Sequence, residues 1–379
     1  MSTLPLAGVR ILSLAEQYPG PYATMLLADL GADVILVERP AGGDPSRRFP
    51  GLFAAFNRNK RSVTIDLKSP AGKADFLRLV DSADAIVEGF RPGVMSRLGL
   101  DAVALRARKP ALVYASISSF GQTGPMAAVA GHDLSIQAAA GMIDVPVGEE
   151  AALALPVLPL ADIASAMFAA LGIVSALFAR SRTNQGSTLD VSMLDSLVSW
   201  MTPFLVPPLN NLPTRQLPPE DPGYGLFATA DARQITLSIA GEDHMWAALC
   251  RLLGLDRYAA LGEDERSARG SEIVPALRAA IAEWPCERLC EELQAAQIAF
   301  GPVRRLHEVL DDPQLIARGM RKGVDGSDGE QQFVRQPLVL DGHTGSITRP
   351  VPALGQHNAE LLGPGPTSPA SRTPSVAAA

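Results

Sequence analysis

At 379 residues the chain exceeds the usual size of one hydrophobic core, so about two domains are expected. Its 47% hydrophobic and 19% charged residues are those of a well-packed soluble enzyme and exclude disorder over most of the length. The net charge of −7 argues against a dedicated nucleic-acid binder, although a local basic cluster can still hold a small anion.

In chain order, Val9–Leu14 reads as a first strand and Pro21–Leu30 as a helix, entered at Gly20-Pro21 and ended at Gly31. Val34–Glu38, rich in β-branched residues, is a second strand, and Ser62–Leu67 a third. Ser69-Pro70 opens a helix with proline in its first turn. Strands Ala85–Glu88 and Leu112–Ser116 follow. Alternation of this kind predicts a large Rossmann-like α/β domain whose parallel sheet is covered on both faces. A long helix from about Asp162 to Arg180, a strand Leu189–Ser192 and a helix Met193–Leu205 complete its first part, residues 1–206. The Pro- and Asn-rich stretch Pro207–Pro222 reads as a linker. A smaller α+β domain, 223–322, then begins with a strand Gln234–Ala240 and a helix Glu242–Leu253. The Gly-rich segment Gly323–Gln331 reads as a loop, 332–363 as a return to the large domain, and the Pro/Ser/Thr/Ala tail 364–379 as disordered.

The N-terminal residues show no signal-peptide pattern, and the apolar run Met167–Ala179 is too short and Ala-rich for a membrane span. Cys250, Cys286 and Cys290 fit no zinc motif. No metal and no membrane are therefore expected, and a cytoplasmic location suits so few cysteines.

The parallel-sheet pattern invites a nucleotide reading, but Ser13–Pro21 after the first strand lacks the G-x-G-x-x-G fingerprint, and no P-loop occurs. A basic cluster does occur: Arg39, Arg47, Arg48, then Arg58, Lys60 and Arg61 in FNRNKRS. It reads as a solvated loop or, because it lies near the carboxyl ends of strands, as a phosphate site. Asp162 stands between an apolar approach, Leu153–Ala161, and an apolar helix. It caps the helix N-terminus, serves as a functional carboxylate at the positive helix end, or does both. His132 reads as a structural or a site histidine, and no Ser-His-Asp or H-E-x-x-H pattern competes for these residues.

The segments GVRILSLAEQYPGPYATMLLADLGADVILVERPAGGDPSR, FNRNKRSVTIDLKSPAGK, ADAIVEGFRPGVMSRLGL, SFGQTGP, GHDLSIQAAAG, LPLADIASAMFAALGIVSALFAR, GSTLDVSMLDS and GQHN, in that order, resemble the family III CoA-transferases of the CaiB/BaiF superfamily, which also includes alpha-methylacyl-CoA racemase. The resemblance runs from about residue 5 to 363. It implies that Asp162, in LPLAD, is a nucleophile that forms an acyl-aspartyl anhydride and then an aspartyl-CoA thioester, passing coenzyme A to a carboxylate acceptor. It implies coenzyme A contacts at Arg39, Asn59, Lys60, Arg61, Lys68, Gly89, Phe90 and Arg97, and a family glutamine at Gln17 or Tyr18. Coenzyme A is part of the substrate, and no separate cofactor is implied. GHDLSIQAAAG carries His132 where many transferases have an aromatic residue, followed by the acid Asp133. A racemase set of His132, Asp162 and Glu242 is thus a second reading, but SFGQTGP, SIQAAAG and GQHN favour the transferase. A catalytically silent CoA-binding homologue is the alternative of another class, against which the presence of Asp162 speaks. The family fold is an interlocked, ring-like homodimer, so a second copy of the chain is the expected partner, beside acyl-CoA and the carboxylate acceptor.

Overall fold

The computed structural model describes residues 4–144, 156–213, 221–326 and 329–363. The tail 364–379 and the start of the apolar approach, 153–155, lie outside the described residues.

The first part of the chain forms β1 (Arg10–Ser13), α1 (Pro19–Asp29), β2 (Asp33–Glu38), α2 (Pro50–Asn57), β3 (Arg61–Thr64), α3 (Pro70–Ser82), β4 (Ala85–Glu88), α4 (Val94–Leu98), α5 (Ala102–Arg108), β5 (Val113–Ser118), α6 (Asp133–Ala139), α7 (Leu160–Thr183), β6 (Thr188–Ser192), α8 (Met193–Trp200) and α9 (Thr202–Leu209). The six strands make one parallel sheet in the order β3-β2-β1-β4-β5-β6. Successive side chains of each strand feed opposite faces. Ile11, Val34, Val87 and Ala115 enter one core with the small residues of α1 and α7, whereas Leu12, Ile35, Ile86 and Tyr114 enter the other with Phe76, Leu79 and Val80 of α3. Both faces are thereby covered, which is why the middles of β1, β2, β4 and β5 are apolar on both sides. The chain winds outward from β1 to β3 and then returns to the other side of β1 with β4. This reversal opens a crevice at the carboxyl ends of β1 and β4, where sheets of this type bind ligands.

The predicted helix Met193–Leu205 is two helices, α8 and α9, broken at Met201, and α9 takes in Pro207 and Pro208 of the predicted linker. Beyond it come β7 (Tyr224–Ala228), β8 (Gln234–Ser238), α10 (Asp243–Leu252), α11 (Glu263–Ala268), α12 (Gly270–Ile281), α13 (Cys286–Ala295), β9 (Phe300–Pro302) and α14 (Pro313–Ala317). Strands β7-β8-β9 form an antiparallel sheet whose inner face, with Ile235 and Leu237, packs on Trp246, Leu249, Leu277 and Leu289.

The described residues of the segment predicted as a loop, Gly323–Gln331, lie in two antiparallel strands, β10 (Arg321–Gly326) and β11 (Gly329–Val334). Among the residues of these two strands only Phe333 is buried, so no apolar alternation marked them as sheet. A short β12 (Val339–Leu340) and β13 (His343–Thr344) pair next, before α15 (Asn358–Leu362). The GQHN motif runs along β3: the Ser62 amide donates to His357 Nδ1 at 3.1 Å, the Thr64 amide to Asn358 Oδ1 at 2.8 Å, and the His357 amide to the Ser62 carbonyl. It thereby pairs the edge that would otherwise expose unsatisfied backbone groups.

Two compact units result. The first holds the described residues of Met1–Asp144, Ala154–Leu205 and Arg318–Ala379, and the second those of Val206–Ala317.

Candidate active site

A cavity of ≈ 290 Å³ opens in the first unit at the crevice. Its walls are the segment after β1 (Ala15–Gly20), the segment after β4 (Gly89–Pro92), the end of β5 with Ser118 and Ser119, and Gly131, His132 and Asp162. Gly20 is required by packing: a Cβ there would lie 2.0 Å from that of Ala15, so only glycine lets α1 start this close to the segment after β1.

Asp162 is the third residue of α7, and Pro159 occupies the cap position without a side-chain bond. The cap comes instead from α6. Asp133 Oδ1 accepts from the amides of Ala161 at 2.8 Å and Asp162 at 3.1 Å, and Oδ2 accepts from Gln137 Nε2 at 2.6 Å. Gln137 is fully buried and also donates to the Leu158 carbonyl at 2.9 Å. The capping reading of Asp162 is therefore corrected: the first-turn amides belong to Asp133, and the Asp162 carboxylate is left for other work. Among the described residues nothing donates a hydrogen bond to that carboxylate. Burial, and next the negative charge of Asp133, push its pKa up to about 7. A carboxylate so little stabilised is more basic and more nucleophilic than an exposed one, and half of it is ionised near neutrality.

His132, Tyr18 and Gln17 are among the polar residues that share the cavity. His132 is exposed at the cap position of α6, where its amide donates to Ser135 Oγ at 3.0 Å. Tyr18 packs on Phe56 with ring centroids 4.5 Å apart; its hydroxyl pKa is raised by burial and then by the Asp162 charge. Gln17 takes a left-handed backbone conformation, φ 68°, and is exposed. Both residues weighed for the family glutamine thus line the cavity. Arg91 does too and was missed, although a cation three residues after a strand's carboxyl end, in FRPG, was a usable signal.

The FNRNKRS cluster does not form the phosphate site read from its charge. Arg58 is 2% exposed and bidentate on Asp29, at 3.2 and 2.7 Å. Asn59 donates to Asp29 Oδ1 and the Ser346 carbonyl and accepts from the amides of Thr348 and Arg349. Lys60 is 1% exposed; its ammonium donates to Pro21 O at 2.8 Å, Thr24 Oγ1 at 2.9 Å and Asn57 Oδ1 at 3.0 Å, so all three protons are committed. Burial pushes its pKa well below the usual lysine range. Arg61 is held by Asp33 and Glu360. These side chains bind α1, β3 and the C-terminal return together. Likewise Arg47 pairs with Glu38 at 2.7 Å.

The other expected coenzyme A residues remain at the carboxyl edge. Arg39, exposed after β2, donates to the Gly43 carbonyl and lies 3.8 Å from Glu16. Lys68 and Arg97 are exposed, beyond β3 and in α4, and Gly89 and Phe90 follow β4 directly. Glu242 belongs to the second unit, exposed at the start of α10, where its carboxylate accepts from the Ala240 amide at 2.8 Å. Among the described residues no group of three or more His, Cys, Asp or Glu side chains is placed to hold a metal ion.

Comparison with known proteins places this arrangement. The sequence profile of CoA-transferase family III matches residues 6–358. A succinate–glutarate CoA-transferase of Agrobacterium fabrum is 32% identical over 94% of this chain and 95% of its own length. A probable fatty acyl-CoA transferase of Mycobacterium tuberculosis is also 32% identical, over 94% and 97%. The crystal structure of a CaiB/BaiF family protein from Brucella suis superposes with a TM-score of 0.85 at 29% identity, covering 95% of this chain and 99% of that one.

Proposed function

The chain belongs to CoA-transferase family III, and from that premise we propose that it moves coenzyme A from an acyl-CoA donor to a carboxylate acceptor through covalent intermediates on Asp162. The observation that carries this reading is the Asp162 carboxylate itself: at the crevice, without a hydrogen-bond donor among the described residues, and with its pKa raised to about 7.

In the first step an Asp162 oxygen attacks the donor thioester carbon. The C–S bond breaks, leaving an acyl-aspartyl anhydride and coenzyme A thiolate. The thiolate then attacks the Asp162 carbonyl, the donor leaves as a carboxylate, and an aspartyl-CoA thioester remains. The acceptor carboxylate attacks that thioester, forming a second anhydride and releasing the thiolate again. Attack of the thiolate on the acceptor's carbonyl gives the new acyl-CoA and frees the Asp162 carboxylate. Each addition places negative charge on an oxygen, and the Gln17 carboxamide, His132 and the Tyr18 hydroxyl are among the cavity groups available to donate to it. Arg39, Lys68 and Arg97 are the exposed cations available to the coenzyme A phosphates. Arg91, inside the cavity, suits a carboxylate of donor or acceptor.

The same reading includes a homodimer with interlocked chains. It is supported by an exposed apolar stripe along α7, Met167, Leu171, Val174 and Phe178, at i, i+4, i+7 and i+11 on one helix face. A second copy is the occupant of that stripe in this reading.

The test is an acceptor screen. Succinyl-CoA, glutaryl-CoA and a fatty acyl-CoA, after the substrates named for the relatives, are each incubated with a panel of carboxylates, and new thioesters are followed by mass. Transfer by the wild type that is lost in Asp162→Ala supports the proposal; transfer retained in the variant refutes it.

A further inference from the structure

We propose that Asp44 is a positioning residue for the transfer reaction, acting through Gln17 by holding it in a left-handed backbone conformation beside Asp162; the inference rests on the Asp162 reading above. Gln17 has φ 68°, a region that residues other than glycine adopt only under constraint. The constraint is its own amide, which donates to both carboxylate oxygens of Asp44, at 3.2 and 3.1 Å. Asp44 is fixed in turn. It is 5% exposed, its Oδ1 also accepts from Ser46 N and Ser46 Oγ at 2.7 Å each, and its amide donates to Glu38 Oε2 at 3.0 Å. Anchored on β2, Asp44 grips the exposed turn that follows β1.

The grip matters because of what Gln17 carries. Its carboxamide has no partner among the described residues, and the residue lines the cavity with Asp162. An amide proton there is available to the thioester oxygen as charge develops on it. Relaxation of Gln17 to negative φ would turn the Cα–Cβ bond and carry the carboxamide elsewhere. Asp44 is not itself in the cavity wall, and its hydrogen bonds to a cavity residue are those from the Gln17 amide.

A double-mutant cycle on the full chain tests this, with two readouts: the donor-dependent acylation rate at saturating acyl-CoA, and the melting temperature. Asp44→Ala should slow acylation by about tenfold or more, with the KM for donor changed less than about twofold, a misplaced donor costing less than the roughly hundredfold or more of one removed outright. Asp44→Asn keeps Oδ1 as an acceptor and should retain more activity than Asp44→Ala. Gln17→Gly removes the carboxamide and takes positive φ freely. In that background Asp44→Ala should slow acylation no further, and should lower the melting temperature less than it does alone. Additive rate losses, or an Asp44→Ala enzyme with unchanged kcat, overturn the catalytic role; equal melting losses in the two backgrounds overturn the clamp. If the wild type shows no acylation while the melting effects remain coupled, the Asp162 reading fails and the clamp stands.

Discussion

In FNRNKRS the Arg58 guanidinium is bidentate on Asp29 and the Lys60 ammonium has three acceptors, all buried. At the cavity of the same unit the Asp162 carboxylate has no donor among the described residues, and its pKa is raised to about 7. Both regions are rich in charge, and both lie under a sequence motif. The first satisfies its charges internally and fastens the C-terminal return to the sheet. The second has its helix-start amides taken by Asp133, which leaves the Asp162 carboxylate without a hydrogen-bond donor among the described residues. A dense run of charge can thus serve the fold alone, whereas a charged group whose natural partners are occupied by a neighbour is the better candidate for a site.

Several substitutions separate the two regions. The largest effect is expected for Asp162→Ala, which removes the covalent path and should lower transfer by at least about a thousandfold. Its melting temperature should not fall, since Asp162 caps nothing. Arg58→Ala should do the opposite. It leaves the Asp29 carboxylate buried without its cation, and urea unfolding should show a loss of about 3–5 kcal/mol while the folded fraction keeps its KM for acyl-CoA. An Arg58→Ala enzyme of normal stability but raised KM would return that residue to the phosphate site.

A smaller and pH-dependent effect is expected from Asp162→Asn. The folded state holds the Asp162 proton up to about pH 7, whereas the unfolded state releases it near pH 4. Wild-type stability therefore falls, relative to the Asn variant, as pH rises through that window, by roughly 2–4 kcal/mol at its full extent above pH 7. Denaturant curves of both proteins at pH 5 and pH 8 measure it; an advantage that does not grow with pH contradicts the raised pKa. The smallest effect is expected from Arg97→Ala, an exposed cation, with KM for acyl-CoA raised about three- to tenfold and both kcat and melting temperature unchanged.

Much of this was legible in the sequence because strands buried on both faces must be apolar throughout, and Val34–Glu38 or Ala85–Glu88 admit few other readings. Asp162 was legible from LPLAD. The β10–β11 pair was not, since only Phe333 is buried there. Nor was the role of Lys60: its acceptors are a carbonyl 39 residues away, Thr24 and Asn57, a set that only the packing of α1 against α2 and β3 assembles. Asp133 and Asp162 were each visible, but that one caps the helix of the other is a tertiary fact. A single cation such as Arg91 carries little signal in a sequence, and only the fold brings it to the cavity that Asp162 lines.

Trapping decides whether Asp162 is a nucleophile or a base at the α-carbon. Wild-type protein is incubated with donor acyl-CoA in deuterium oxide, quenched with hydroxylamine and digested. A hydroxamate is expected on the peptide containing Asp162, dependent on donor and absent in Asp162→Asn. The trapping rate should rise with pH to a midpoint near 7, and the recovered acyl-CoA should gain no α-deuterium. Rapid α-deuterium uptake lost in both His132→Gln and Asp162→Asn, with no modified peptide, would contradict the nucleophile reading and make His132 and Asp162 a pair of bases.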